Sequence, residues 1–190
     1  MILATFDIAT HSGWARHTKG AHPSSIVSGD FKCEGKGAFE KCEAMRRHMV
    51  ALLKSWATDP RIGKPDLAVI EAPLTIIPQH VKKRSDLAGE SEQSGTINPA
   101  TVMQLSRLAG VAQTVIGGFG IECIEVAPRT WQTIIPKQFR IYPPKKRAEL
   151  TCDMLGIVAT NEHKRDAALM ALYCEGIAAK MVAYEEAMAG

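Results

Sequence analysis

The stretch Leu67-Ala-Val-Ile-Glu71 is an unbroken apolar run that ends in a carboxylate. A strand with one wet face alternates polar and apolar residues. This one does not, so it reads as a buried strand covered on both faces. The opening run, Met1-Ile-Leu-Ala-Thr-Phe-Asp7, has the same form. A carboxylate closing such a strand is costly to bury unless it is paired or holds a cation. Two such endings, together with His163-Lys-Arg-Asp166 at the head of a late apolar helical run, suggest a site for divalent metal.

The rest of the pattern surrounds these strands with helices. Residues 2–8, 13–16 and 25–31 read as three short strands joined by tight turns, an antiparallel meander. Over 37–57, Phe39, Met45, Met49, Leu52, Leu53 and Trp56 recur at helical spacing. Asp59-Pro60 and Gly63-Lys-Pro65 end that helix ahead of the strand at 66–71. Asn98 is placed to cap a helix with Pro99 in its first turn, a core stripe of Val102, Leu105, Leu108, Ala109 and Val115, and a stop at Gly117-Gly118. A strand at 121–126, a helix at 145–155 and a last helix from about Glu162 complete the order. The whole fits one mixed sheet with helices on its faces. Residues 72–97 stand apart, with two prolines, a basic cluster and a polar run, and such a connection within a compact domain is usually functional or mobile.

At 190 residues the chain is expected to form a single domain, 1–190, with a proper core. No apolar run approaches the roughly 20 residues of a membrane span. Asp7 and His11 stand where a signal peptide needs an apolar core, so a cytoplasmic protein without membrane association is expected. Five scattered cysteines without a C-x-x-C pair suggest reduced thiols, neither a disulfide framework nor a zinc site. The net charge of +3 says little. The clusters Lys82-Lys83-Arg84 and Lys145-Lys146-Arg147, with Lys137 and Arg140 between them, say more once the acidic residues are considered.

Several segments together resemble the RuvC family of Holliday-junction endonucleases, of the ribonuclease H-like superfamily. Thr5-Phe-Asp7-Ile-Ala-Thr-His-Ser-Gly13-Trp-Ala resembles the family's first motif, an aspartate on strand one before a glycine-containing turn. Ala68-Val-Ile-Glu71 resembles the glutamate that ends the fourth strand, and Thr101-Val-Met-Gln-Leu-Ser-Arg-Leu-Ala-Gly110 the helix after it. Val126-Ala-Pro128-Arg-Thr-Trp131 resembles the segment after strand five. His163-Lys-Arg-Asp166-Ala-Ala-Leu resembles the last acidic motif in its histidine-bearing variant. Ile8 and Ala9 follow Asp7 where the family often has Pro-Gly, and 72–97 is longer and poorly matched, departures that look like those of a phage or prophage-type relative.

The resemblance implies an α/β ribonuclease H-like fold: a five-stranded mixed sheet, three antiparallel strands then two parallel, flanked by helices. It implies a metal-dependent endodeoxyribonuclease that resolves four-way DNA junctions by paired phosphodiester hydrolysis and works as a homodimer. Asp7, Glu71, His163 and Asp166 are its expected catalytic and metal-binding residues, with Glu162 able to stand in for His163. Two Mg²⁺ or Mn²⁺ ions about 4 Å apart could activate a water and stabilise the leaving 3′ oxygen. Asp7 would bridge them, Glu71 and Asp166 would each bind one, and His163 would serve the nucleophile side. Lys82, Lys83, Arg84, Lys145, Lys146 and Arg147 are the expected DNA contacts, mostly to phosphate, and the 72–97 segment is expected to be a mobile DNA-contacting connection. Trp14 and Trp131 could stack on bases, though core packing is the stronger expectation for both.

Taken singly, each acidic residue has a plainer reading: a turn cap, a surface carboxylate, or a charge on a helix dipole. Competing functions remain. They are a broader nuclease for branched DNA, an RNA-acting relative like the YqgF group, and a DNA-binding dimer without catalysis. An actin-like sugar kinase also ends its first strand in an aspartate, but needs two lobes that 190 residues do not supply.

Overall fold

The computed structural model describes residues 1–73, 79–86, 89–96 and 98–189, with side chains described for 1–73 and 98–176. The chain opens with β1 (Ile2–Asp7), β2 (His11–Thr18) and β3 (Val27–Lys32), paired antiparallel as a meander. Then come α1 (Ala38–Thr58), β4 (Leu67–Glu71), β5 (Gln79–Asp86), β6 (Gly89–Thr96), α2 (Pro99–Gly118) and β7 (Glu122–Val126). The short α3 (Pro128–Trp131), two 3-10 turns, α4 (Pro144–Leu155) and α5 (Glu162–Ala189) finish it. The main sheet has the order β3-β2-β1-β4-β7, with β4 parallel to both β1 and β7. This is the α/β, ribonuclease H-like arrangement of three antiparallel strands followed by two parallel ones.

The apolar runs explain why β1 and β4 are central. Side chains alternate across a strand, so Leu3, Leu67 and Val69 go to one face while Ala4, Phe6, Ala68 and Ile70 go to the other. Every residue from Leu67 to Ile70 is buried, as an unbroken apolar strand requires. One face is covered by α4 and α5, the other by α1 and α2. Asn98 caps α2 as its position suggested, its Oδ1 accepting from the Ala100 amide at 2.9 Å. Cys33, Cys152 and Cys174 are core residues, with burial pushing their thiols up to about 11, 12 and 12.

Three readings from periodicity need revision. Phe39 is 79% exposed, because the buried stripe of α1 begins a turn later, at Ala44 and Met45. Val102 and Leu105 are only half-buried, and the stripe of α2 starts at Leu108. Within 72–97, β5 and β6 pair antiparallel from Gln79↔Thr96 to Asp86↔Gly89, where the sequence suggested an irregular connection. Apart from Val81 and the glycines these strands are polar, so they carry no apolar alternation by which a strand is recognised. None of the described helices is long and apolar enough to cross a membrane.

The start of α5 is fixed on the sheet by two close contacts. The buried Thr5 hydroxyl on β1 donates to the Ala167 carbonyl at 2.7 Å. On β2, Gly13 lies against the backbone of His163 so closely that a Cβ there would fall 1.9 Å from the His163 carbonyl oxygen. Both partners are main chain, so neither can swing away. Gly13→Ala is expected to destabilise the protein by about 1–3 kcal/mol, the usual cost of forcing extra volume into a packed contact. A lowered urea midpoint would show this, and an unchanged midpoint would mean that α5 does not sit this tightly.

Candidate active site

Asp7 closes β1 and Glu71 closes β4. These strands are parallel neighbours, with Phe6 beside Ile70, so the two carboxylates leave the sheet at the same end. The first turn of α5 brings the other two groups, His163 and Asp166, three residues apart and therefore on one helix face. His163 Nδ1 lies 3.3 Å from Asp7 Oδ2. The four candidate residues thus converge on one place, though Asp7 and His163 are 156 residues apart in the chain.

Burial and mutual repulsion dominate the electrostatics. Glu71 is pushed up to about 7, first by burial and then by the charge of Asp7, against the lowering effect of a hydrogen bond from Trp131. That bond runs from indole Nε1 to Glu71 Oε2 at 2.7 Å. Asp166 is also raised to about 7 by burial and then Asp7, with His163 opposing. His163 is raised chiefly by its hydrogen bond to Asp7. Three crowded carboxylates with one imidazole form an electron-rich pocket short of positive charge. Oxygen donors with a single imidazole suit Mg²⁺ or Mn²⁺. Among the described residues no three such side chains are already spaced as a ligand set, and His163 is turned onto Asp7. The composition of the pocket, three carboxylates and an imidazole, fits a divalent cation.

Glu162, the alternative to His163, is engaged elsewhere: its Oε2 meets Lys145 Nζ at 2.5 Å, while its Oε1 is 3.8 Å from His163 Nε2. A cleft of about 600 Å³ opens beside Asp166, lined in part by Arg129, Arg140, Lys145 and Arg147. Lys145 and Arg147 come from the first turns of α4, as the basic cluster suggested. Lys146 instead reaches Glu149 at 2.6 Å and does not line the cleft. The side chains of Lys82, Lys83 and Arg84 lie outside the described residues.

Several neighbours were not legible from spacing. Trp131 is buried, as expected of a core residue, yet its N–H also holds Glu71. Trp14 is half-buried and meets Trp56 edge-on at 5.3 Å. The ring of His11 packs against that of His163, tilted, with centroids 4.2 Å apart. Arg140, singled out in the sequence together with Lys137, lines the cleft, as does Arg129, which belongs to no basic run.

The raised carboxyls make a pH prediction. In the metal-free protein Glu71 and Asp166 hold protons more tightly than at their ordinary values of 4.5 and 3.8. Their stabilising contribution is therefore full below about pH 4 and is lost as pH rises through about 7. His163, also raised, loses its contribution in the same direction, above its ordinary 6.5. Relative to Asp166→Asn, the wild type in a chelator should lose on the order of a few kcal/mol across this window. Urea unfolding at stepped pH would measure it, and parallel pH curves for the two proteins would contradict the crowding.

No protein-family model matches the chain, and no curated protein does. Solved structures do match. The structure of T. thermophilus RuvC in complex with Holliday junction substrate superposes with a TM-score of 0.63 at 13% identity, covering 95% of this chain and 96% of that one. A second Thermus thermophilus RuvC structure gives 0.58 at 15% identity, over 95% and 96% of the two chains. The yeast mitochondrial Holliday junction resolvase Ydc2 gives 0.56 at 9% identity, over 97% and 81%. At identities this low the likeness is one of fold, carried over nearly the whole chain. The protein has the fold shared by RuvC and a mitochondrial Holliday junction resolvase.

Proposed function

We propose that this protein is a divalent-metal-dependent, structure-selective endonuclease that resolves four-way DNA junctions. The observation that carries this is the convergence of Asp7, Glu71, Asp166 and His163 at one end of the sheet, beside a cleft lined by Arg129, Arg140, Lys145 and Arg147. Three half-buried carboxylates crowded together, two of them pushed up to about 7, are the kind of cluster that functional sites concentrate. The structural neighbours support the choice of substrate, one of them having been solved with a Holliday junction.

Asp7, Glu71, Asp166 and His163 would hold the cations. When bound, Mg²⁺ or Mn²⁺ would supply a nucleophile at neutral pH and charge neutralisation at the leaving 3′ oxygen. The chain's own groups do the positioning. The cations of the cleft take the phosphate backbone, which sets the register of the strand without reading its sequence. Trp131 holds Glu71 in place through its N–H, and Asp7 orients the His163 ring through Nδ1. Lys82, Lys83 and Arg84 would extend the phosphate contacts. Paired cuts across a nearly two-fold junction call for a two-fold homodimer.

Cleavage of a labelled synthetic four-way junction with Mg²⁺ or Mn²⁺, beside duplex, flap, fork and RNA controls, tests the proposal. Symmetric paired nicks near the crossover are expected. Asp7→Asn should reduce the rate by more than about 100-fold, beyond what the loss of an outer-shell group costs. Metal-dependent cutting of flaps, forks or RNA in place of junctions would keep the site and change the substrate. Tight junction binding without cutting under either metal would retire the catalytic reading. Arg147→Ala should weaken junction binding and reduce the slope of log affinity against log salt by about 1. An unchanged slope would remove Arg147 from the phosphate contacts.

A further inference from the structure

His163 is held by more than Asp7. His11, the first residue of β2, presses its ring on that of His163, with centroids 4.2 Å apart and planes inclined at 44°. His11 is itself anchored, with Nε2 2.6 Å from Asp30 Oδ2 on β3. The β2–β3 register explains the reach: Gly13 pairs with Asp30, and His11 lies two residues along on the same face. The other oxygen of Asp30 takes Lys164 Nζ at 3.0 Å, and Lys164 is the residue after His163. Asp30 therefore ties together the ring that touches His163 and the helix turn that carries it. Gly13, paired with Asp30 across the sheet, meets the His163 backbone.

A purely stabilising role would be small. Each of these side chains is about a quarter exposed, and ion pairs in such settings contribute little. The effect on geometry is larger in principle. An imidazole with two rotatable bonds needs a packed face and a hydrogen bond to stay in one rotamer, and the groups behind a ligand set its orientation. Asp7 supplies the hydrogen bond and His11 the packed face.

We propose that His11, anchored by the Asp30–Lys164 pair, is a positioning residue that fixes the ring of His163 for the metal-dependent reaction. The proposal rests on the endonuclease reading, with His163 serving at the reacting centre.

Two measurements test it. The first is single-turnover junction cleavage at saturating metal and DNA. His11→Ala should slow it by about tenfold or more, the effect typical of a lost outer-shell partner, with junction affinity unchanged. His11→Phe keeps the packed face and should recover much of the rate, and Asp30→Asn, which weakens the anchor, should fall between. In a His163→Ala background the His11→Ala loss should vanish, since His11 acts through His163. A full rate in His11→Ala, or an equal loss in both backgrounds, would overturn the proposal. The second measurement is the imidazole nitrogen spectrum of the metal-free protein, which needs no activity. His163 signals should shift and broaden in His11→Ala, and unchanged signals would overturn the positioning. Should the wild type cut no nucleic acid at all, the endonuclease reading falls, and the spectra alone then decide whether His11 fixes His163.

Discussion

Asp7, Glu71 and Asp166 repel one another in a partly desolvated corner, and the surrounding structure is arranged to hold them there. Left alone, each would turn to water or keep its proton, and burial with the charge of Asp7 pushes Glu71 and Asp166 up to about 7. The strand ends prevent escape, since Asp7 and Glu71 belong to buried parallel strands whose neighbours on both faces are packed. Trp131 and His163 lend partial compensation through hydrogen bonds to Glu71 and Asp7. Neither supplies a full counter-charge at the centre. The arrangement makes sense with cations among the carboxylates.

The helix α5 has to be placed accurately for this to work, because it brings two of the four groups. Its first turns are held by main-chain contact at Gly13, by the Thr5 hydroxyl at Ala167, and by Lys164 on Asp30. Further along, the buried His17 of β2 meets Glu175 at 3.2 Å, and Glu175 also accepts from the Gly20 amide at 2.6 Å. The apolar run from Ala167 to Ala171 fills the space between and is fully buried. A long helix docked at several points along one sheet face gives little room for its first turn to drift. Its basic neighbour α4 then sits beside the same corner, where Lys145 is drawn in by Glu162.

Much of this could be read before the fold was known. The unbroken run at Leu67 to Ile70 required a buried strand, and the fold that the resemblance implied put the ends of the strands carrying Asp7 and Glu71 side by side, as they are in the sheet. The polar β5 and β6 could not be read, because recognising a strand depends on an apolar face and theirs is absent. Phe39 was misplaced for a related reason: periodicity tells which residues share a face but not where along a helix the core begins.

The sequence by itself determined the buried strands, the helices around them and the residue types that suit a divalent cation, because these follow from local pattern and from the cost of burying charge. Tertiary structure decided the partners of those residues. That His11 lies on His163, that Trp131 holds Glu71, and that Glu162 turns to Lys145 depend on strand register and helix docking between segments far apart in the chain. Side chains that meet only through packing leave no spacing signal, since nothing along the chain links their positions until the sheet and α5 close on each other.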